Sequence, residues 1–155
     1  MESSQSFWQY KFKDWVRDIT SLGNPLILLF VPFCYFGPSK TFGILLIALA
    51  VNEVCCSLIK LFFHKKRPDG QAFKGALEKI DAGSFPSIHS SRIATAYLPM
   101  IVFADNYVTP VIVGIFILLT ATSRVLLKRH FLSDVIGGLA IGTAIFLAFF
   151  FLVYP

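Results

Sequence analysis

The residues best suited to catalysis lie in one short polar stretch between two long apolar runs: Ser123, Arg124, His130 and Asp134. Ionisable side chains at the edge of a membrane segment are costly to desolvate, so they are functional candidates by default. His130 and Asp134 are four residues apart, a spacing that puts them on one face of a helix. A carboxylate beside an imidazole fixes its tautomer and stabilises the charge that develops on it.

Two other segments carry the groups needed to bind an oxyanion. Lys60 and Arg67 lie at the end of one apolar run, and Ser87 and His89 lie at the start of another. Cationic side chains, hydroxyl groups and the free N–H groups of helix starts together suit a tetrahedral oxyanion. Two histidines would supply both a nucleophile and a general acid.

The composition is that of a membrane protein. Of the 155 residues, 55% are hydrophobic, and the mean hydropathy is +0.69, which is above the range of soluble domains. The formal net charge of +5 is therefore interpreted as attraction to anionic lipid headgroups, and no nucleic-acid partner is predicted. The three cysteines lie in apolar runs and imply no disulfide framework.

Five membrane-spanning helices are predicted from the apolar runs. They cover residues 19 or 22 to 37, 42–63, 86–104, 108–127 and 133–154. Pro86 suits the first turn of the third helix. Because successive spans alternate in direction, the ends of the second and fourth and the starts of the third and fifth share one membrane face. The three polar segments are therefore expected to meet there.

The fold class predicted is an all-α integral membrane bundle, in a single domain that covers residues 1–155. Residues 1–22 form an amphipathic helix that is expected to lie at the membrane surface. The segment 64–85 is expected to be a loop over the active site. The apolar face of the N-terminal helix is formed by Trp8, Phe12, Trp15, Ile19 and Leu22.

Three motifs in this order resemble the signature of the type 2 phosphatidic acid phosphatase (PAP2) superfamily. They are Lys60-x6-Arg67-Pro68, Pro86-Ser87-x-His89 and Ser123-Arg124-x5-His130-x3-Asp134. The resemblance covers about residues 60 to 138. It implies a PAP2-like helical bundle and a lipid phosphatase that needs no metal and no other cofactor.

The resemblance also implies a role for each motif residue. His130 would attack phosphorus and form a phosphohistidine, while Asp134 would orient and polarise His130. His89 would protonate the leaving-group oxygen and then activate water. The residues expected to hold the phosphoryl oxygens are Lys60, Arg67, Ser87, Ile88 through its N–H, and Arg124.

Ile88 departs from the family pattern, which usually has Gly at that position. A positive φ would strain Ile, whereas a role that needs only its N–H would not, and we favour the second alternative. Glu53 lies seven residues before Lys60 and needs a cationic partner or a proton if it is buried in hydrocarbon; a direct contact with substrate is the third alternative. Lys74 and Lys79 are expected to contribute to headgroup selectivity.

The predicted function is hydrolysis of the terminal phosphate of a membrane lipid phosphate or diphosphate. The candidate substrates are prenyl diphosphates, phosphatidylglycerophosphate, phosphatidate and the 1-phosphate of lipid A. A phosphotransferase that uses a lipid acceptor would need the same residues. A non-catalytic phosphate-recognising membrane protein would not need both histidines, and five spans argue against a haloperoxidase, a mostly soluble class.

The membrane side of the site is left open, as is the oligomeric state. In this topology 13 of the 14 Lys and Arg residues lie near the site face, which the positive-inside rule would direct to the cytoplasm. The resemblance instead implies the outer side of a bacterial inner membrane. Cations outside the motifs, Lys65 among them, are interpreted as headgroup anchors.

Overall fold

The computed structural model describes residues 2–68, 70 and 74–154, and these residues form seven α-helices and one 3-10 turn. The described residues contain no strand, so the all-α prediction is confirmed. The helices are α1 (Glu2–Thr20), α2 (Pro25–Phe36), α3 (Lys40–Phe62), α4 (Ala76–Ala82), α5 (Ile88–Val102), α6 (Val108–Leu126) and α7 (Leu132–Val153), and the 3-10 turn is Ser21–Gly23.

Three of the described helices, α3, α6 and α7, are long and apolar enough to cross a membrane. The chain is therefore an integral membrane protein. Tyr10–Thr20 and α2 are bent by 54° relative to each other and would form a fourth, broken span if they cross together. Helix α5 has 15 residues, about 22 Å, which is short of the roughly 30 Å hydrocarbon layer. The predicted number of five spans is thus not confirmed.

Helix α5 is the central element of the bundle, and it packs against α2, α3, α6 and α7. Nine of its 15 residues are buried. The sequence prediction that this helix begins at Pro86 is wrong. Ser87 has an extended backbone (φ −73°, ψ 105°) and caps the helix, its hydroxyl oxygen accepting a hydrogen bond from the N–H of Ser90, so the helix begins at Ile88.

Two glycines on α7 allow it to approach the first turns of α5 closely. A Cβ atom at Gly138 would overlap the carbonyl oxygen of Ser87, and a Cβ atom at Gly142 would overlap that of Ser91. Small residues four positions apart are a common means of close helix packing in membranes. This contact fixes the start of α5 against the start of α7, where the candidate catalytic residues lie.

Replacing Gly142 with Ala is expected to destabilise the bundle, because the added methyl group would also lie 2.8 Å from the Cβ of Ala94. Overpacking of this kind costs about 2 kcal/mol, or about 6 °C in Tm for a chain of this size. Thermal unfolding in detergent micelles would measure it. Gly114→Ala is the matched control, since a Cβ there meets nothing within 4 Å; equal Tm values for the two variants would contradict the prediction.

A buried amide connects α3 to α5. The Asn52 side chain is fully buried, and its Oδ1 accepts hydrogen bonds from the hydroxyl groups of Ser91 and, at 3.5 Å, Thr95. Interhelical hydrogen bonds of this type stabilise membrane bundles modestly. Asn52 was not singled out in the sequence, because its partners lie on another helix.

The N-terminal helix predicted from residues 1–22 is present as α1. Val16 is buried against the bundle, whereas Phe12 and Trp15 are exposed. The hydroxyl groups of Thr20 and Ser123 are 2.6 Å apart and join the end of α1 to α6. The predicted contributions of Trp8 and Leu22 lie outside the described side chains, and the surface location of the helix remains a prediction.

The segment 64–85, predicted as a loop, contains helix α4, and backbone hydrogen bonds join its two ends. Lys66 and Gly83 form an isolated antiparallel bridge, and the N–H of Ser84 donates to the carbonyl of Lys65 at 2.7 Å. Further hydrogen bonds, from Lys60 to the Gly83 carbonyl and from the Ser84 hydroxyl to Asp134, place residues 83–84 beside the end of α3 and the start of α7. The segment thereby contributes directly to the site described next.

Candidate active site

A polar cavity of about 260 Å³ lies where the predicted motifs meet. Lys60 reaches it from the end of α3, His89 from the first turn of α5, and His130 from the connection between α6 and α7. Arg67 lines it from the segment after α3. The structure therefore brings together residues from all three sequence motifs on one face of the bundle.

His130 is held by a backbone carbonyl. Its Nδ1 lies 2.7 Å from the carbonyl oxygen of Ser84, and since a carbonyl only accepts hydrogen bonds, Nδ1 must carry the proton. The lone pair of the neutral ring is then on Nε2. Burial lowers the pKa of His130 to about 3, and the charges on Arg124 and Lys60 add to this effect. The imidazole is therefore neutral at pH 7, as a nucleophile must be.

The predicted contact between His130 and Asp134 is not a direct hydrogen bond. The expectation that both residues share a helical face is wrong, because α7 begins only at Leu132. His130 Nδ1 and Asp134 Oδ2 are 4.0 Å apart. Asp134 Oδ2 instead accepts hydrogen bonds from the Ser84 hydroxyl and, at 2.9 Å, from the N–H of Phe131. Asp134 thus holds Ser84, and Ser84 in turn contacts His130.

The other carboxylate oxygen of Asp134 binds Lys65. The Lys65 ammonium group lies 2.6 Å from Asp134 Oδ1 and also donates to the Ser133 hydroxyl at 2.9 Å. The interpretation of Lys65 as a headgroup anchor is therefore wrong. Neither Lys65 nor Ser84 belongs to the three motifs. Their positions depend on how the segment 64–85 folds, which residue spacing does not reveal.

Replacing Asp134 with Asn is expected to lower kcat/KM by less than about 100-fold. Asn retains an acceptor for the Ser84 hydroxyl, and the Ser84 carbonyl that accepts the hydrogen bond from His130 Nδ1 is unchanged. In a direct carboxylate–histidine pair the same exchange costs about 10⁴-fold, because it stabilises the wrong tautomer. Rates of phosphate release would decide between the two arrangements. A loss near 10⁴-fold for Asp134→Asn would show that the carboxylate acts on the ring directly.

The cationic residues differ in how they face the cavity. Lys60 is buried and donates to the Gly83 carbonyl at 2.8 Å, while Arg67 lies 3.9 Å from the Asp81 carboxylate. Ser87 and Arg124 were also predicted to hold phosphate, but they are not among the residues that line the cavity. The Ser87 hydroxyl instead accepts from the Ser90 hydroxyl at 3.0 Å.

Arg124 is buried in the last turn of α6 and does not line the cavity. Its backbone carbonyl accepts the N–H of His130 at 3.2 Å, so it helps to fix the path of the connection. Its Nε atom has no hydrogen-bond partner within the part of the chain that the structure describes. Buried guanidinium donors are normally satisfied, and an anion reaching this group would satisfy it.

Ile88 is the first residue of α5 and lines the cavity. Among the described non-glycine residues, only Lys128 has a positive φ, so Ile88 is unstrained. The alternative that needs a positive φ is therefore wrong, and the role of the Ile88 N–H remains a prediction. His89 follows it and packs against the 3-10 turn, where a Cβ atom at Gly23 would lie 2.9 Å from its ring.

Glu53 pairs with Arg92, which was one of the alternatives left open. The Nη2 of Arg92 lies 2.5 Å from Glu53 Oε2, and its Nε donates to Oε1. Both side chains line the cavity. Lys74 and Lys79 do not line it, and their role in headgroup selectivity remains a prediction.

Comparison with known proteins agrees with this geometry. The PAP2 superfamily profile matches residues 41–155, which is more than half of the chain. The chain belongs to the PAP2 superfamily. The resemblance inferred from the three motifs is therefore confirmed, and with it the prediction of a membrane phosphatase at the level of the family.

Two comparisons, one with curated proteins and one with solved structures, match this PAP2 chain to proteins of Bacillus subtilis. Phosphatidylglycerophosphatase B is 29% identical over 143 residues, which cover 83% of this chain and 68% of the relative. The crystal structure of a transmembrane PAP2-type phosphatidylglycerolphosphate phosphatase superposes with a TM-score of 0.72 at 22% identity, over 92% of this chain and 76% of that one. The second comparison confirms the PAP2 fold.

Proposed function

We propose that this PAP2 protein removes the terminal phosphate of a membrane lipid without a metal, through a phosphohistidine intermediate. The observation that carries the proposal is the cavity shared by His130, His89, Lys60 and Arg67. It combines a neutral imidazole, a second imidazole and two cations at the membrane-surface ends of the helices. Phosphoryl transfer requires mainly positioning and electrostatic stabilisation of this kind.

In the first step, Nε2 of His130 donates its lone pair to phosphorus, and the bond between phosphorus and the lipid oxygen breaks. A phosphate dianion bound beside His89 favours the imidazolium form of that ring, and this imidazolium gives its proton to the departing lipid oxygen. In the second step, neutral His89 takes a proton from water, whose oxygen attacks the phosphohistidine. The N–P bond breaks, inorganic phosphate leaves, and both histidines return to their starting states.

Charge on the phosphoryl oxygens is balanced by groups that surround the cavity. Lys60 and Arg67 line it directly, and the N-terminal end of α5 at Ile88 contributes free N–H groups. Arg124 does not line the cavity, but its positive charge lies close enough to act on both histidines. Ser84, Asp134 and Lys65 act indirectly, by holding His130 in the reactive tautomer.

The lipid nature of the substrate is supported by a second cavity. An apolar groove of about 210 Å³ between α2, α3 and α5 adjoins the polar cavity. Acyl chains in this groove would place the phosphate of a bilayer lipid at the histidines. Because a relative is named phosphatidylglycerophosphatase B, we propose phosphatidylglycerophosphate as the physiological substrate and a bacterial plasma membrane as the location. The groove is lined by Pro25, Leu28, Leu29, Leu49 and Ala50.

Phosphate release from a panel of lipids would test the proposal. The panel contains phosphatidylglycerophosphate, phosphatidate, a prenyl diphosphate and lipid A 1-phosphate, with His130→Ala protein as the blank. We expect the first lipid to give the highest kcat/KM. Equal rates for lipids and short water-soluble phosphates would argue against a lipid phosphatase, and phosphate appearing on an added lipid acceptor would identify a phosphotransferase.

A further inference from the structure

The Glu53–Arg92 ion pair lies between the polar cavity and the apolar groove. Among the described residues, Glu53 and Arg92 are the two that line both the polar cavity and the apolar groove. An ion pair is not needed to separate a phosphate site from an acyl-chain site, and charges in this region of a membrane protein are costly to desolvate. Its position therefore calls for a ligand-related explanation as well as a structural one.

Helix geometry gives the order of the groups along the helix axes. Arg92 follows His89 by three residues on α5, a rise of about 4.5 Å, so both lie on one face of that helix. Glu53 precedes Lys60 by seven residues on α3, a displacement of about 10.5 Å along the axis, away from the end of α3 that carries Lys60. A substrate entering from the groove would thus meet the ion pair before its terminal phosphate reaches His130.

Arg92 can bind an anion without releasing Glu53. Its Nε and Nη2 donate to the two carboxylate oxygens. A guanidinium has five N–H donors, and the two on Nη1 are not used by this ion pair. Glu53 holds the guanidinium plane in one orientation, and the side chain of Arg92 is 20% exposed. A fixed, partly desolvated guanidinium is well suited to bind a phosphate oxygen.

We propose that Arg92 selects lipids that carry a second anionic group, a phosphodiester, between the terminal phosphate and the acyl chains. Phosphatidylglycerophosphate has such a group, and phosphatidate does not. Glu53 is a positioning residue that keeps the guanidinium directed at the diester. This inference rests on the proposed lipid phosphatase function and adds the determinant of its substrate class.

The test compares three substrates in mixed micelles: phosphatidylglycerophosphate, phosphatidate and soluble p-nitrophenyl phosphate. Replacing Arg92 alone would leave Glu53 unpaired, so the decisive protein is the double variant Glu53→Gln/Arg92→Gln. We expect it to lose about 10- to 100-fold in kcat/KM for phosphatidylglycerophosphate, the usual effect of losing a hydrogen bond to a charged group. Its kcat/KM for the other two substrates should stay within about threefold of the wild-type value.

Arg92→Lys keeps the charge but not the planar fork, and it should give an intermediate loss confined to the diester-containing lipid. Lys66→Gln is the matched control, because Lys66 is an exposed cation that does not line the cavity; all three of its rates should match the wild type.

Two results would overturn the inference while the proposed function stands. One is equal wild-type kcat/KM for the two lipids, and the other is an equal loss on all three substrates in the double variant, which would make the ion pair a purely structural link between α3 and α5. If the wild-type protein hydrolyses p-nitrophenyl phosphate but neither lipid, the proposed lipid substrate is wrong and the inference fails with it.

Discussion

Replacing His130 with Ala is expected to lower kcat by about 10⁴-fold or more, because the residue that forms the covalent intermediate is lost. Its neutral ring and carbonyl-bound Nδ1 leave Nε2 as the attacking atom, and Ala has no atom that can replace it. With radiolabelled substrate, the wild-type protein should acquire an acid-labile, alkali-stable label typical of phosphohistidine. The His130→Ala variant should acquire none.

His64→Ala provides the matched control, since His64 is the one of the three histidines that does not line the cavity. It should retain wild-type activity and labelling. Undiminished labelling of the His130→Ala protein would place the covalent intermediate on another residue. Residual turnover within tenfold of the wild type would argue against covalent catalysis at this site altogether.

Replacing His89 with Ala is expected to separate the two chemical steps. For a lipid substrate the leaving group is a poor one, so the loss of the general acid and base should lower kcat by about 10³-fold. For p-nitrophenyl phosphate the leaving group needs no proton, and the first step should remain fast. Because the variant cannot activate water for the second step, the phosphohistidine should accumulate.

Rapid mixing of His89→Ala protein with p-nitrophenyl phosphate would show this as a burst of p-nitrophenol, close to one equivalent per site, followed by a slow steady state. The double variant His89→Ala/His130→Ala should give no burst. An equal loss for lipid and aryl substrates, without accumulation of labelled protein, would assign the acid and base roles to a different group.

The meeting of the three motifs could be predicted because it depends only on antiparallel connectivity. Any bundle in which successive helices alternate brings Lys60, His89 and His130 to one face, whatever the details of packing. The family signature added the expected role of each residue. These predictions needed no knowledge of side-chain rotation.

The contacts around His130 could not be predicted, because they depend on an irregular segment. Residues 64–85 have no hydrophobic periodicity that would report their path, yet this path places Ser84 and Lys65 against Asp134. The ion-pair partner of Glu53 could not be predicted for a similar reason. The relative rotation of α3 and α5 decides whether Lys60 or Arg92 lies close enough to the Glu53 carboxylate to pair with it.

The start of α5 was placed too early because Pro86 is compatible with a first helical turn, whereas Ser87 supplies the actual cap. The predicted number of spans is not confirmed at α5, which has 15 residues and packs against four other helices. An enclosed helix can be shorter than the bilayer and still be apolar enough to resemble a span.

The tautomer of His130 is set by a main-chain acceptor, and this has a consequence for how the protein tolerates mutation. Every amino acid at position 84 supplies a carbonyl group, so no single side-chain exchange there deletes the acceptor itself. Inactivating mutations are instead expected to be those that redirect the chain around it, such as insertions or deletions between the Lys66–Gly83 bridge and the cap of α5. The reactive tautomer of His130 therefore depends on the path of the backbone at residue 84 and not on the identity of its side chain.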